Sequence, residues 1–325
     1  MVMAQSLFLT LHARHPGIAI DVLAPGWSRP VLARMPQVRR AVELDVAHGE
    51  LAWGRRRRMG LALRDAGYDQ AIVLPRSLKA ALAPFHARIR RRTGYRGESR
   101  YWLINDMRPL DRQALPRMVQ RLVALGLEPG EALPEPLPTP SLTCDPTRVA
   151  ALRAAHGLDP ARPAAAIMAG ARYGPAKCWP LERYAELAGR LRDAGFQVWL
   201  LGSAADRQDA ERIDAAAGGG TLNLCGRTGL DDAIDLLSAA AVAVGNDSGL
   251  LHVAAAVGTP VVALYGSSTP AYTPPLTEKR RVIYRGLACS PCFQRHCPLG
   301  HYRCLTEITV DEVYTAAASV AGATS

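Results

Sequence analysis

Between two apolar runs, Ala239 to Val244 and Pro260 to Gly266, lies the segment Gly245-Asn246-Asp247-Ser248-Gly249-Leu250-Leu251-His252. The runs read as buried strands, and a helix over Leu250 to Val257 fits between them. A strand–turn–helix of this kind aims unpaired backbone N–H groups, and the positive end of the helix dipole, at whatever lies above the sheet. A phosphate is the natural occupant. Asp247 and Ser248 are residue types that cap helices, and Gly249 lets the backbone come close to a ligand. His252 follows Ser248 by one turn and shares its face. Taken alone, these residues read more simply as an ordinary capped turn with a half-buried histidine.

Their company changes that reading. Gly170-Ala171-Arg172-Tyr173-Gly174-Pro175-Ala176-Lys177-Cys178-Trp179-Pro180 also lies between an expected strand, Ala164 to Met168, and an expected helix, Leu181 to Ala194. Lys177 there is a point charge on a flexible stem, suited to a second phosphate contact. Gly266-Ser267-Ser268-Thr269-Pro270 closes the next strand in a turn rich in hydroxyls.

Five prolines between Glu128 and Pro140 exclude a helix or central strand and divide the chain. Before them, strands are expected at Ile18 to Leu23, Val42 to Leu44 and Gln70 to Leu74, with helices at Ala4 to Arg14, Arg56 to Ala66 and Ala114 to Leu125. After them, strands are expected near 164–169, 197–202, 221–225, 241–245 and 260–265, again with helices between. Strands alternating with helices predict α/β folds with doubly wound parallel sheets. Ligands of such sheets bind outside the carboxyl ends of the strands, where all these motifs fall.

The 325 residues suffice for two cores, and 49% hydrophobic content excludes general disorder. No run of about 18 apolar residues exists to span a membrane, and no secretory signal pattern opens the sequence, so a cytoplasmic protein is expected. Residues 1–127 carry 22 Lys and Arg against 9 Asp and Glu, whereas the remainder carries 17 against 20. The net charge of +10 therefore comes from the first part, most densely at Arg55 to Arg58 and Arg88 to Arg96. Such an excess is either a solvated surface or a face for an anionic partner. Nucleic acid is disfavoured, because no recognition motif appears and the basic segments lack interleaved aromatics. No G-x-G-x-x-G follows a strand and no G-x-S-x-G elbow occurs, which argues against a dinucleotide-dependent oxidoreductase and a serine hydrolase.

The block Gly174-Pro175-Ala176-Lys177-Cys178-Trp179-Pro180, the run Asn246 to His252 and the turn Ala263-Leu264-Tyr265-Gly266-Ser267-Ser268-Thr269-Pro270 resemble glycosyltransferase family 9, and Tyr272-Thr273-Pro274-Pro275-Leu276 strengthens the likeness. The resemblance runs from Met1 to about Val320. It implies a GT-B arrangement of two Rossmann-like domains: 1–127 for the acceptor, 128–145 as linker and 146–325 for an ADP-sugar donor. It implies inverting transfer of heptose from ADP-L-glycero-D-manno-heptose to the first heptose of the lipopolysaccharide inner core. The acceptor would then be heptosyl-Kdo2-lipid A, met at the cytoplasmic face of the inner membrane. It also implies that no cofactor is needed for transfer. Lys177, Thr228, Asp247, Ser248, Gly249 and His252 are the expected donor-binding residues, with Thr228 assigned to the adenosine pocket by the resemblance alone.

A general base must take the acceptor's proton. The resemblance implies an Asp in a Gly-Asp pair after the first strand, and Met1-Val2-Met3-Ala4-Gln5-Ser6-Leu7 resembles the residues that directly follow such a pair. The first strand and the catalytic Asp are thus expected just before Met1, which would be an internal methionine. No other acid is a convincing replacement, Asp21 being too generically placed. A chain lacking that Asp would bind donor and transfer little, which leaves a donor-binding protein, or a family member with a different acceptor, as alternatives.

Four of seven cysteines cluster as Cys289-x2-Cys292-x4-Cys297-x6-Cys304, with His296 and His301 between them. In a reducing compartment the spacing suggests thiolate metal ligands before disulfides. Its second pair departs from a standard zinc ribbon, so structural zinc, free thiols in a packed loop and a redox pair all stay open.

Overall fold

The structure is a computed structural model describing residues 1–47 and 49–322. The chain divides into two compact units at Pro140/Ser141.

Among the described residues the first unit holds five strands in two parallel sheets. One pairs β1 (Ile20–Ala24) with β2 (Val38–Glu43), and the other runs β3 (Gln70–Val73), β4 (Arg91–Tyr95), β5 (Asp106–Arg108). Leu7, Phe8 and Leu11 of the helix Gln5–Arg14 are buried, as are Val119 and Val123 of the helix Met118–Ala124. Gly126 lets the two helices close up, since a Cβ there would stand 2.4 Å from Leu7 Cδ1.

Several expected boundaries move. The helix expected at Arg56 to Ala66 starts at Trp53 and ends at Ala62, and the one expected at Ala114 to Leu125 is Met118–Ala124. Part of the basic run Arg88 to Arg96 is strand β4, whose arginines are engaged in the fold, while Arg88, Arg90 and Arg96 are exposed. Arg91 pairs with Asp106 at 3.0 Å and Glu128 at 2.9 Å, and Arg92 donates to the Leu103 carbonyl at 2.8 Å. The Arg108 guanidinium, with Thr93 and Arg91, holds the Asp106 carboxyl well below the usual carboxylate range. Asp21 is likewise structural, bound by Arg39 at 2.9 Å and by the Tyr68 hydroxyl at 2.6 Å.

Among the described residues the second unit is built on a six-stranded, fully parallel sheet in the order β11-β10-β9-β6-β7-β8. Its strands are β6 (Ala164–Met168), β7 (Gln197–Leu200), β8 (Leu222–Asn223), β9 (Val242–Asn246), β10 (Val261–Tyr265) and β11 (Arg280–Tyr284). Every residue of β6, β7, β9 and β10 is buried, which is why these strands are continuous apolar runs without alternation. Helix Leu181–Asp193 buries Tyr184, Ala185, Leu187, Ala188 and Leu191, the three-and-four spacing of one helical face. Helix Pro146–His156 begins at Asp145, which accepts from the Thr147 and Arg148 amides, and ends at Gly157 in the left-handed region. The chain winds one way through β6, β7 and β8 and the other way through β9, β10 and β11. The winding reverses between β6 and β9, and a crevice at such a reversal is where open α/β sheets bind ligands. Among the described residues no helix is long and apolar enough to cross a membrane.

Candidate donor site

The loops after β6, β9 and β10 meet at that reversal because their strands are neighbours. Gly245 permits the contact, as a Cβ there would stand 2.9 Å from the Met168 carbonyl oxygen. Asn246, fully buried at the end of β9, ties the loops together. Its Oδ1 accepts from the Trp179 amide and the Tyr184 hydroxyl, each at 3.0 Å, and its Nδ2 donates to the Ala169 carbonyl at 2.6 Å. Trp179 is pinned at its other end, its indole N–H reaching the Ile308 carbonyl at 3.1 Å.

This frame delivers Lys177 to Asp247. Nζ lies 2.5 Å from Asp247 Oδ2 and 3.3 Å from the Asp247 carbonyl. On the other side of the carboxylate, His252 Nε2 stands 3.6 Å from Oδ1 and the Thr273 hydroxyl donates to it at 3.4 Å. Burial pulls the Asp247 carboxyl up, but His252 and the Lys177 charge outweigh it and hold it at about 2. Asp247 is therefore a carboxylate at any pH near neutrality. Lys177 also sits over the Tyr173 ring, 5.3 Å from its centroid.

Ser248 is the residue before the helix Gly249–Ala256, but its side chain makes no capping hydrogen bond. The expectation that Ser248 caps this helix is corrected: its backbone is extended, as at an N-cap, but its side chain accepts nothing from the first-turn amides. Those N–H groups retain the dipole and donor capacity that an anion uses.

Lys177, Asp247, Ser248, Gly249 and His252 are thus one cluster. Thr228 is not part of it. It lies beyond β8, two strands from β6, and its hydroxyl donates to the Leu224 carbonyl at 3.2 Å. Thr273 and Tyr173 were missed as site residues, although both stand in the motif blocks quoted above. The Lys177–Asp247 pair, 70 residues apart in sequence, left no local signal.

The cysteines gather at one place against the same loops. Cys289, Cys292, Cys297 and Cys304 line a cavity of about 20 Å³ with Ala176 and Ser267 on its wall. None of the seven cysteines is in a disulfide. Burial pushes the Cys304 thiol up, and the neighbouring Cys297, Cys289 and Cys292 sulphurs push it further.

The model of glycosyltransferase family 9 (heptosyltransferase) matches residues 56–303. Lipopolysaccharide heptosyltransferase 2 of Escherichia coli K12 is 45% identical over 322 residues, 96% of this chain and 92% of that protein. Lipooligosaccharide heptosyltransferase 2 of Haemophilus influenzae is 44% identical over 295 residues, 87% of this chain and 84% of that protein. The solved structure of the E. coli ADP-heptose lipopolysaccharide heptosyltransferase II superposes with a TM-score of 0.88 at 42% identity, covering 99% of this chain and 95% of that one. Motifs, sheet topology and relatives over nearly the whole length agree, and the chain belongs to glycosyltransferase family 9, the heptosyltransferases.

Proposed function

We propose that the protein transfers heptose from ADP-L-glycero-D-manno-heptose to the first heptose of the lipopolysaccharide inner core, with inversion. The observation that carries the donor half is the Lys177–Asp247–His252 cluster facing the uncapped start of the helix Gly249–Ala256. As the glycosidic bond breaks, negative charge grows on the departing ADP, and fixed donors aimed there lower the barrier. Lys177 and the amides of Ser248, Gly249 and Leu250 supply them, with no resident cofactor in the step. A carboxylate cannot face a diphosphate without repulsion, so Asp247 takes the sugar side. There it accepts from heptose hydroxyls and holds Lys177 in place. His252 faces the diphosphate, and Thr228 contributes to the adenosine pocket.

Residues 1–127 form the acceptor side in this reading. Their charge excess suits heptosyl-Kdo2-lipid A and the anionic cytoplasmic face of the inner membrane, where each nearby basic residue contributes about 1 kcal/mol. Trp27 and Trp102, 66% and 88% exposed, are side chains that favour such an interface. Cys289, Cys292, Cys297 and Cys304 supply no group to the reacting atoms.

Incubating the protein with ADP-heptose and heptosyl-Kdo2-lipid A, and reading the acceptor by mass spectrometry, tests the reaction. Acceptor carrying one added heptose supports it. Donor bound but acceptor unchanged would move the reading to a donor-binding protein.

A further inference from the structure

The segment 289–304 is bonded on one side to the Lys177 loop and on the other to the turn after β10. The Ala176 amide donates to the Arg295 carbonyl at 3.0 Å, and the Tyr173 hydroxyl donates to the Phe293 carbonyl. The Phe293 amide donates to the Ser267 carbonyl at 2.8 Å, and the Ser290 hydroxyl to the Gly266 carbonyl at 2.5 Å. The contact is close on both sides. A Cβ on Gly174, whose φ is +150°, would stand 2.6 Å from the Arg295 carbonyl oxygen, and one on Gly266 would stand 2.5 Å from Cγ of Leu305, the residue that follows the segment. Yet from Leu287 to Tyr302 the segment has no helix or strand of its own. A chain of this length that buttresses two site loops needs something to hold its own shape.

Four cysteines offer the means. Cys289, Cys292, Cys297 and Cys304 line one cavity of about 20 Å³, enough for a single water-sized occupant. His301 is less suited as a ligand, because its Nδ1 already accepts from the Arg303 amide at 3.0 Å. Among the described residues no group of three or more His, Cys, Asp or Glu side chains is posed to hold a metal ion. Closing on one therefore requires the cysteine side chains to rotate inward from the cavity wall.

We propose that Cys289, Cys292, Cys297 and Cys304 bind one thiophilic divalent metal ion, and that the loop so closed positions the Lys177 loop and the Ser267 turn for the donor. Binding replaces four S–H bonds by four metal–sulphur bonds and releases four protons to solvent. The two metal charges against four thiolates leave the site at −2. The positioning half rests on the donor reading above, while the metal half does not.

The test is elemental analysis for zinc and iron on the full chain purified without chelator. Calorimetric titration with ADP then follows, before and after chelation, and on the double variant C289S/C292S. The proposal expects about one ion per chain in the native protein, near none in the variant, and about tenfold weaker ADP binding once the ion is gone. Cobalt(II) in place of the native ion should show thiolate-to-metal charge-transfer absorption, a readout independent of both folding of the variant and activity. Folded native protein with less than about a tenth of an equivalent of metal, taking up no cobalt, overturns the site. A stoichiometric ion whose removal leaves ADP affinity unchanged overturns the positioning role. Failure of ADP-heptose as donor would leave the metal result standing, so the two readings fail separately.

Discussion

Lys177 Nζ and Asp247 Oδ2 stand 2.5 Å apart, although one residue follows β6 and the other follows β9. Only the adjacency of those two strands brings them together. The pair helps to hold Asp247 ionised, and in the proposed donor reading it separates two tasks: attracting a diphosphate and holding a neutral sugar.

Lys177→Met should weaken ADP and ADP-heptose alike. A charge-assisted hydrogen bond contributes about 1.5–3 kcal/mol, so the loss should be about 10- to 100-fold in affinity for both. Calorimetric titration of the variant with each ligand reads this directly. A loss confined to ADP-heptose would place Lys177 on the sugar.

Asp247→Asn should separate the two ligands. Affinity for ADP should hold or rise as a buried negative charge is removed, while affinity for ADP-heptose should fall about tenfold through lost hydroxyl contacts. Parallel losses for both ligands would contradict the assignment of Asp247 to the sugar side.

The same carboxylate predicts a pH dependence of stability. Asp247 is depressed from 3.8 to about 2 in the folded protein. The stabilisation is therefore fully present above the unfolded value near 4 and disappears as pH falls through about 2. With the carboxylate nearly buried, it amounts to about 2 kcal/mol at neutral pH and about half of that at pH 3. Urea midpoints of the native protein and Asp247→Asn, compared at pH 6 and pH 3, should converge at the lower pH. A constant difference would show that the ionised carboxylate is not its source.

Asn246→Ala should cost stability more than binding. It strips partners from the Trp179 amide and the Tyr184 hydroxyl, both buried, at about 1–3 kcal/mol for each group left unsatisfied. A melting temperature lower by several degrees is expected, with ADP binding to the folded fraction weakened less than in Lys177→Met. An unchanged melting temperature would deny Asn246 its part in joining the β6 and β9 loops.

The second unit was largely legible in the sequence. Its central strands are buried on both faces and so appear as unbroken apolar runs, and its glycine-bearing turns sit where strands end. β11 was not, because Arg280 and Arg281 break the apolar signal of an edge strand. The first unit was harder for a related reason: β4 carries Arg91 and Arg92, stabilised by carboxylates and carbonyls from distant segments that no local pattern reveals. Within the candidate site, turn chemistry singles out Lys177, Asp247 and His252 one by one. It does not reveal their mutual contacts, since these depend on strand order. Ser248 was misassigned as a side-chain cap because residue type alone does not fix the rotamer.

The most direct test of the account is calorimetric titration of the full chain with ADP-heptose, alongside ADP and GDP-mannose. The account predicts binding of ADP-heptose and ADP, tighter for the sugar nucleotide, and no measurable binding of GDP-mannose. Well-folded protein that fails to bind ADP-heptose, or binds GDP-mannose as well, would contradict the assignment of this site to an ADP-heptose donor.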